Sequence, residues 1–229
     1  MSGVIFLNEH DPPEALPPTR YALREPNGLL AVGGSLSSAW ILHAYRRGVF
    51  PWFSEGQPIL WWSPDPRAVL FPGEFRRSRS LAKSMRNAGF EVRIDTAFAE
   101  VVAGCAAPRR QEAGTWITPE MHRSYVELHQ RGLAHSIETW RHGELVGGLY
   151  GVGLGQVFFG ESMFSRARDA SKVAMARLVA ECDRRGIRLI DCQMATDHLA
   201  TLGSRTIPRR DFERLLATLC RGPIDLWRG

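Results

Sequence analysis

Apolar and polar positions change period along this chain, and the changes mark out its elements. Met121, Tyr125 and Leu128 recur at helical spacing after Thr118-Pro119, and Gly132 closes the run, which predicts a helix. The period then drops to two. Residues 135–141, a turn at His142-Gly143, residues 144–152, a glycine turn at 153–155 and residues 156–161 read as a three-stranded antiparallel meander. Asp169 or Ser171 caps a helix to about Arg185, Gly186 stops it, and Leu189-Ile190-Asp191-Cys192-Gln193-Met194 reads as a buried strand. A last helix begins at Pro208 and runs to Cys220. Strands, helix and strand in this order predict an α+β fold with the helix crossing one face of a mixed sheet.

Upstream the pattern is less regular. The first ~30 residues carry Pro12-Pro13, Pro17-Pro18 and Pro26-Asn27-Gly28, which predicts an extended arm ordered only by docking. Helices are expected over 37–47, stopped by Gly48, over 80–88, stopped by Gly89, and from an Asp95 cap to about Cys105, with a strand at 90–94 between the last two. A second unit is expected to begin near residue 110, giving an arm plus small α/β domain over 1–109 and a larger domain over 110–229.

Length allows a sizeable core, and no apolar run approaches the ~20 residues of a membrane span. The start of the chain lacks the basic leader of a signal peptide. Cys105, Cys182, Cys192 and Cys220 have neither disulfide-framework nor metal-ligand spacing, so reduced thiols, a cytoplasmic location and no metal are expected. The formal net charge is +5, carried almost wholly by arginine. Coding bias accounts for scattered arginines as well as function does, but Arg76, Arg77, Arg79, Lys83 and Arg86, followed by Arg109 and Arg110, cluster with few intervening acids. Guanidinium groups grip phosphate oxygens bidentately, so a phosphate backbone suits this cluster.

Polar groups inside a buried strand need a reason, and Asp191 and Gln193 are two of them. Strand alternation puts both on one face and Cys192 on the other, so that Cys192 is no nucleophile. A carboxylate beside an amide suits acyl transfer to an amine, and a structural pair holding the loop at Asp197-His198 is the competing reading. Glu161 follows Gly160, whose missing Cβ admits a ligand; a carboxylate there could hold a cationic amine or cap a turn.

Six blocks carry a resemblance: residues 25–34 (EPNGLLAVGG), 48–53 (GVFPWF), 61–67 (WWSPDPR), 114–118 (GTWIT), 159–165 (FGESMFS) and 190–193 (IDCQ). From about residue 22 onward the chain resembles the leucyl/phenylalanyl-tRNA–protein transferases. The resemblance implies an enzyme that takes leucine or phenylalanine from leucyl-tRNA or phenylalanyl-tRNA. It would attach the residue to an N-terminal arginine or lysine of a protein, marking it for degradation, without cofactor, metal or membrane. It implies a C-terminal domain of the acetyltransferase-like GNAT fold. It gives Gln193 contact with the attacking amine, Asp191 polarisation of it through hydrogen bonds, and Glu161 the α-amino group of the transferred residue. Trp52 and Trp116 would lie near the terminal adenosine, where an indole can stack on a base, with Tyr45 and Tyr125 close by. Both tyrosines also fit as core-facing helix residues, and Trp61, Trp62, Trp140 and Trp227 read as packing. Leu149, Phe158 and Leu178 are candidates for the apolar side-chain pocket. The family commonly has methionine at the position of Leu149 and aspartate at that of Ser35.

Three other readings compete. A coenzyme-A-dependent acetyltransferase would need a glycine-bearing phosphate loop where residues 165–172 (SRARDASK) have none. A non-catalytic RNA-binding module explains the charge and leaves Asp191, Gln193 and Glu161 without work. A tRNA-dependent transferase with a non-protein amine acceptor shares every residue type above.

Overall fold

The computed structural model describes residues 3–107 and 117–221. The N-terminal arm contributes a strand, β1 (Ile5–Leu7), then docks through backbone contacts: the Arg47 guanidinium donates to the carbonyls of Leu16 at 2.5 Å and Pro17 at 2.9 Å. Strand β2 (Leu29–Gly33), helix α1 (Ser38–Arg46) and strands β3 (Phe50–Pro51) and β4 (Leu60–Trp62) complete a small four-stranded sheet in the order β1-β2-β4-β3. Gly33, at φ +91°, permits the β1–β2 contact, because a Cβ there would lie 2.2 Å from the Leu7 carbonyl oxygen. Trp61 is fully buried, stacks on Trp40 with centroids 5.7 Å apart and donates its indole N–H to Gly33. That is the packing role expected of it; Trp62 and Trp140 are half-buried, and Trp227 lies outside the described residues.

The main body is a seven-stranded sheet. Its first members are β5 (Arg67–Leu70) and, after the basic helix α2 (Arg79–Asn87), β6 (Glu91–Ile94). Helices α3 (Phe98–Ala106) and α4 (Pro119–Gln130) precede the expected meander, β7 (Ala134–Arg141), β8 (Glu144–Leu154) and β9 (Val157–Ser165). Helix α5 (Ala170–Arg185) crosses to β10 (Leu189–Gln193), which lies parallel to β9. A short α6 (Asp197–Thr201), β11 (Arg205–Ile207) and α7 (Arg209–Leu219) finish the chain. The order across the sheet is β11-β5-β10-β9-β8-β7-β6. Meander, crossover helix and parallel strand are the arrangement expected of an acetyltransferase-like α+β domain. Strands β5 and β6 precede residue 109, so strand pairing runs across the expected division of the chain.

Alternation sorts the sheet's side chains into two cores. Tyr150, Phe159 and Leu189 join a cluster with α1, α3 and α4, while their neighbours Leu149, Phe158 and Ile190 join a second cluster with Met175 and Leu178 of α5. Two expected caps are replaced. Asp95 is left-handed (φ 57°) and uses its carboxylate on the Ser136 N–H and on His135. Glu138 accepts the free N–H groups of Thr96 and Ala97 ahead of α3 instead. Asp169 is also left-handed (φ 64°) and makes no cap bond to α5; its carboxylate accepts from the Ser84 hydroxyl of α2 at 2.7 Å.

Candidate active site

Strands β9 and β10 pair only as far as Phe159 and Asp191 and then diverge. Gly160 stands at the fork, where a Cβ would meet the Asp191 carbonyl oxygen at 3.3 Å. The opening between the strands is a cavity of ≈ 930 Å³, and because it passes through the sheet plane it is walled by residues of both cores.

Two irregularities aim the polar groups into it. In the β8–β9 ladder Tyr150 opposes Ser162 and Gly151 opposes Gly160, leaving Glu161 as the extra residue of a bulge. Glu161 is nearly buried, and its carboxylate accepts from Tyr45 Oη at 2.6 Å, from Tyr125 Oη at 2.7 Å and from Gln193 Nε2 at 3.3 Å. The two tyrosine oxygens are themselves 2.6 Å apart. Three short O···O contacts share only two hydroxyl protons when Glu161 is ionised, and a proton on Glu161 supplies the third. Burial accordingly pushes the Glu161 carboxyl up to about 7, against the opposing hydrogen bonds from Tyr45 and Tyr125. Burial and the Glu161 charge raise both tyrosines, so both stay protonated donors.

The second irregularity lies in β10, where Asp191 pairs with Val69 and Gln193 with Ala68, so Cys192 is the extra residue. Gln193 is left-handed (φ 61°), and its N–H turns back to Asp191 Oδ1 at 2.9 Å. As expected from alternation, Cys192 packs against the second core while Asp191 is held by Arg67 between Phe50 and Phe212 of the first; Cys192 still borders the cavity, because the opening is walled from both cores. What argues against a nucleophilic role for it is burial, which raises its thiol well above the ordinary range. Asp191 is fully buried, and its carboxylate is clamped by Arg67, Nε to Oδ1 at 2.8 Å and Nη2 to Oδ2 at 2.7 Å. Arg67 also donates to the Gly48 carbonyl and sits between the rings of Phe50 and Phe212, at 4.8 and 4.7 Å. The carboxylate thus fixes Gln193 through the backbone, and its oxygens are engaged within the protein. Arg67 was missed in the sequence. A lone arginine opening an apolar strand is the signal that would have called for a buried acid.

Sequence models of this chain's relatives match at two places: the leucyl/phenylalanyl-tRNA protein transferase family over residues 69–217, and the N-terminal domain of the same transferase over residues 34–65. The chain belongs to this family. Leucyl/phenylalanyl-tRNA--protein transferase of Aromatoleum aromaticum is 60% identical over 86% of this chain and 83% of its own length. That of Thiobacillus denitrificans is 59% identical over 90% of this chain and 91% of its own. Among solved structures, a GCN5-related N-acetyltransferase-like protein from Streptococcus suis covers 75% of this chain and 65% of its own, at 16% identity and a TM-score of 0.37.

Most residues the family resemblance singled out meet at the fork. Glu161, Asp191, Gln193, Trp52, Leu149, Phe158 and Leu178 line the cavity, with Tyr45 and Tyr125 directly behind Glu161. Trp52 is 38% exposed at the rim, edge-on to Trp62. Met163 and Met175 extend the apolar wall and carried no separate signal, since methionine at a core-facing position reads as packing. Trp116, Arg109 and Arg110 lie outside the described residues. Arg76, Arg77, Arg79, Lys83 and Arg86 are all exposed, on α2 and the turn before it. The Ser84–Asp169 bond ties α2 to the turn before α5, and Ser165 at the end of β9, Arg166 of that turn and Ser171 in the first turn of α5 line the cavity. Among the described residues, no group of three or more His, Cys, Asp or Glu is arranged to hold a metal ion, and no helix is long and apolar enough to cross a membrane.

Proposed function

We propose that this transferase moves leucine or phenylalanine from its charged tRNA to the N-terminal arginine or lysine of acceptor proteins, marking them for degradation, and that it works in the cytoplasm, where charged tRNA is available. The observation that carries the reading is one cavity joining an amine-sized polar floor, Glu161 with its two tyrosines, to an apolar wall of Leu149, Phe158 and Leu178. An α-amino acid with a hydrocarbon side chain has that shape and polarity. The wall separates apolar side chains by only ~1–3 kcal/mol per methylene, so methionine is an expected third substrate.

The chemistry is aminolysis of an ester already activated by its link to ribose. The acceptor nitrogen attacks the carbonyl carbon, the C–N amide bond forms, the bond to the ribose oxygen breaks, and the amine's proton ends on that oxygen. Positioning supplies most of the rate, and no cofactor is required. Gln193, held by its backbone bond to Asp191, presents its amide at the fork to orient the acceptor amine. Asp191 acts by holding Gln193 and Arg67 in place. Trp52, with Trp116, stacks the terminal adenosine, contributing about 1–3 kcal/mol per base, and the α2 cluster follows the phosphates.

The test is transfer of labelled leucine from Leu-tRNA to a peptide beginning with arginine, run beside the same peptide acetylated at its amine and beside Gln193→Ala. Transfer to the free amine alone, with turnover reduced in the variant, supports the proposal; transfer to neither peptide despite tight tRNA binding overturns it. Gln193 is the residue to change, because Asp191→Ala strands a buried guanidinium at roughly 3–5 kcal/mol and confounds stability with mechanism.

A further inference from the structure

Tyr150 is a fully buried residue of β8 that lines the cavity, and its hydroxyl has no hydrogen-bond partner among the described residues. A buried hydroxyl left unpaired costs roughly 1–3 kcal/mol, so its place in a functional cavity calls for a partner from outside the protein. Three observations say which part of the substrate that partner is. Tyr150 pairs with Ser162, beside the extra residue Glu161 in the bulge. Its ring meets the ring of Tyr125, a Glu161 donor, edge-on with centroids 5.3 Å apart, and that of Phe98, also edge-on, at 5.9 Å. After burial, the Glu161 charge is the strongest influence holding the Tyr150 phenol protonated. The hydroxyl therefore belongs to the polar floor and not to the apolar wall.

An α-ammonium brings three N–H donors, as a lysine ammonium does. Glu161 already accepts from Tyr45, Tyr125 and Gln193, which leaves it short of lone pairs for all three. We propose that the Tyr150 hydroxyl is a substrate contact, accepting an N–H from the same α-amino group of the transferred residue that Glu161 holds. This rests on the function proposed above and adds a residue to it. Tyr45 and Tyr125 commit their hydroxyls to Glu161, whereas Tyr150 keeps its own for the ligand and so distinguishes an α-amino acyl group from a simple acyl group.

Tyr150→Phe keeps the ring and removes only the oxygen. The substrates are Phe-tRNA and 3-phenylpropionyl-tRNA, the latter lacking the α-amino group, each with the arginine-starting peptide. The variant should raise the KM for Phe-tRNA about tenfold, leave transfer of the phenylpropionyl group unchanged, and melt no lower than the wild-type protein, since an unpaired buried oxygen has been removed. Equal losses on both substrates, or no loss on either, would make Tyr150 a packing residue and overturn the inference while wild-type transfer of phenylalanine keeps the functional reading intact. Failure of the wild-type protein to transfer phenylalanine would overturn both.

Discussion

Glu161 ties the electrostatics of the site to the stability of the fold. Burial raises its carboxyl from 4.5 to about 7, so between those values the folded chain binds a proton the unfolded chain has released. Stability therefore falls as pH rises through that window, and the ionised form weighs against the fold by about 3 kcal/mol above it. Glu161→Gln keeps one acceptor and one donor for the two tyrosines without the charge. It should melt higher than wild type at pH 8, with the gain shrinking towards pH 5 in thermal melts at the two pH values. Transfer activity should fall about 10- to 100-fold, the effect of removing a charge-assisted hydrogen bond to the substrate amine. A gain in melting temperature independent of pH would refute the electrostatic account. Gln193 and Asp191 show a different arrangement at the same scale: the pair was visible in the sequence as polar residues in an apolar strand, but Arg67, 124 positions away, was needed to see that the carboxylate is already occupied.

At the scale of elements, the site is made by two bulges in adjacent strands. Helix and strand positions were legible because period, glycine stops and caps such as Thr118 are local signals; α1, α2, α4, α5 and α7 lie within a residue or two of their predicted bounds. Bulges are not local in that sense, since an extra residue is defined by the partner strand. Strand β9 was expected to end at Glu161 and runs on to Ser165, and the β10 bulge that leaves Cys192 without a partner on β5 carried no signal in the sequence. Short strands without alternation, such as β5 and β11, left no pattern to read. Gly151 makes the β9 bulge possible: a Cβ there would come within 2.2 Å of the Phe159 carbonyl oxygen and 2.6 Å of the Phe158 ring. Gly151→Ala should lower stability by roughly 1–3 kcal/mol, as overpacking does. Because the displaced strand carries Glu161, it should also raise the KM for charged tRNA more than a control substitution of equal destabilisation elsewhere. Denaturant midpoints paired with steady-state kinetics check this.

The whole molecule places a narrow fork beside a broad basic surface. Helix α2 offers Arg79, Lys83 and Arg86 to solvent, with Arg76 and Arg77 just ahead of it, and its tie to Asp169 sets that surface next to the cavity mouth. On the function proposed above, the phosphate backbone would supply affinity through this surface while the cavity reads the aminoacyl end. Affinity for Leu-tRNA should fall steeply with salt. Replacing Lys83 and Arg86 with alanine should flatten the slope of log K against log salt by about 0.7–0.9 for each phosphate that the variant no longer neutralises. A wild-type affinity indifferent to salt would remove α2 from the interface.

By itself the sequence determined what depends on neighbours along the chain: the helices, the meander, the crossover, the basic cluster, and a family resemblance strong enough to name the chemistry. Periodicity, capping and composition are local properties, and six long blocks of matching residues are a local pattern too. Tertiary structure alone decided that Asp191 serves Arg67 and Gln193, that Cys192 borders the cavity, that Tyr45 and Tyr125 are committed to Glu161, and that Tyr150, a residue of the cavity wall, has no partner for its hydroxyl among the described residues. Each of those is a question of which buried polar group has found a partner, and partners in a fold are set by pairing and packing between residues far apart in the chain.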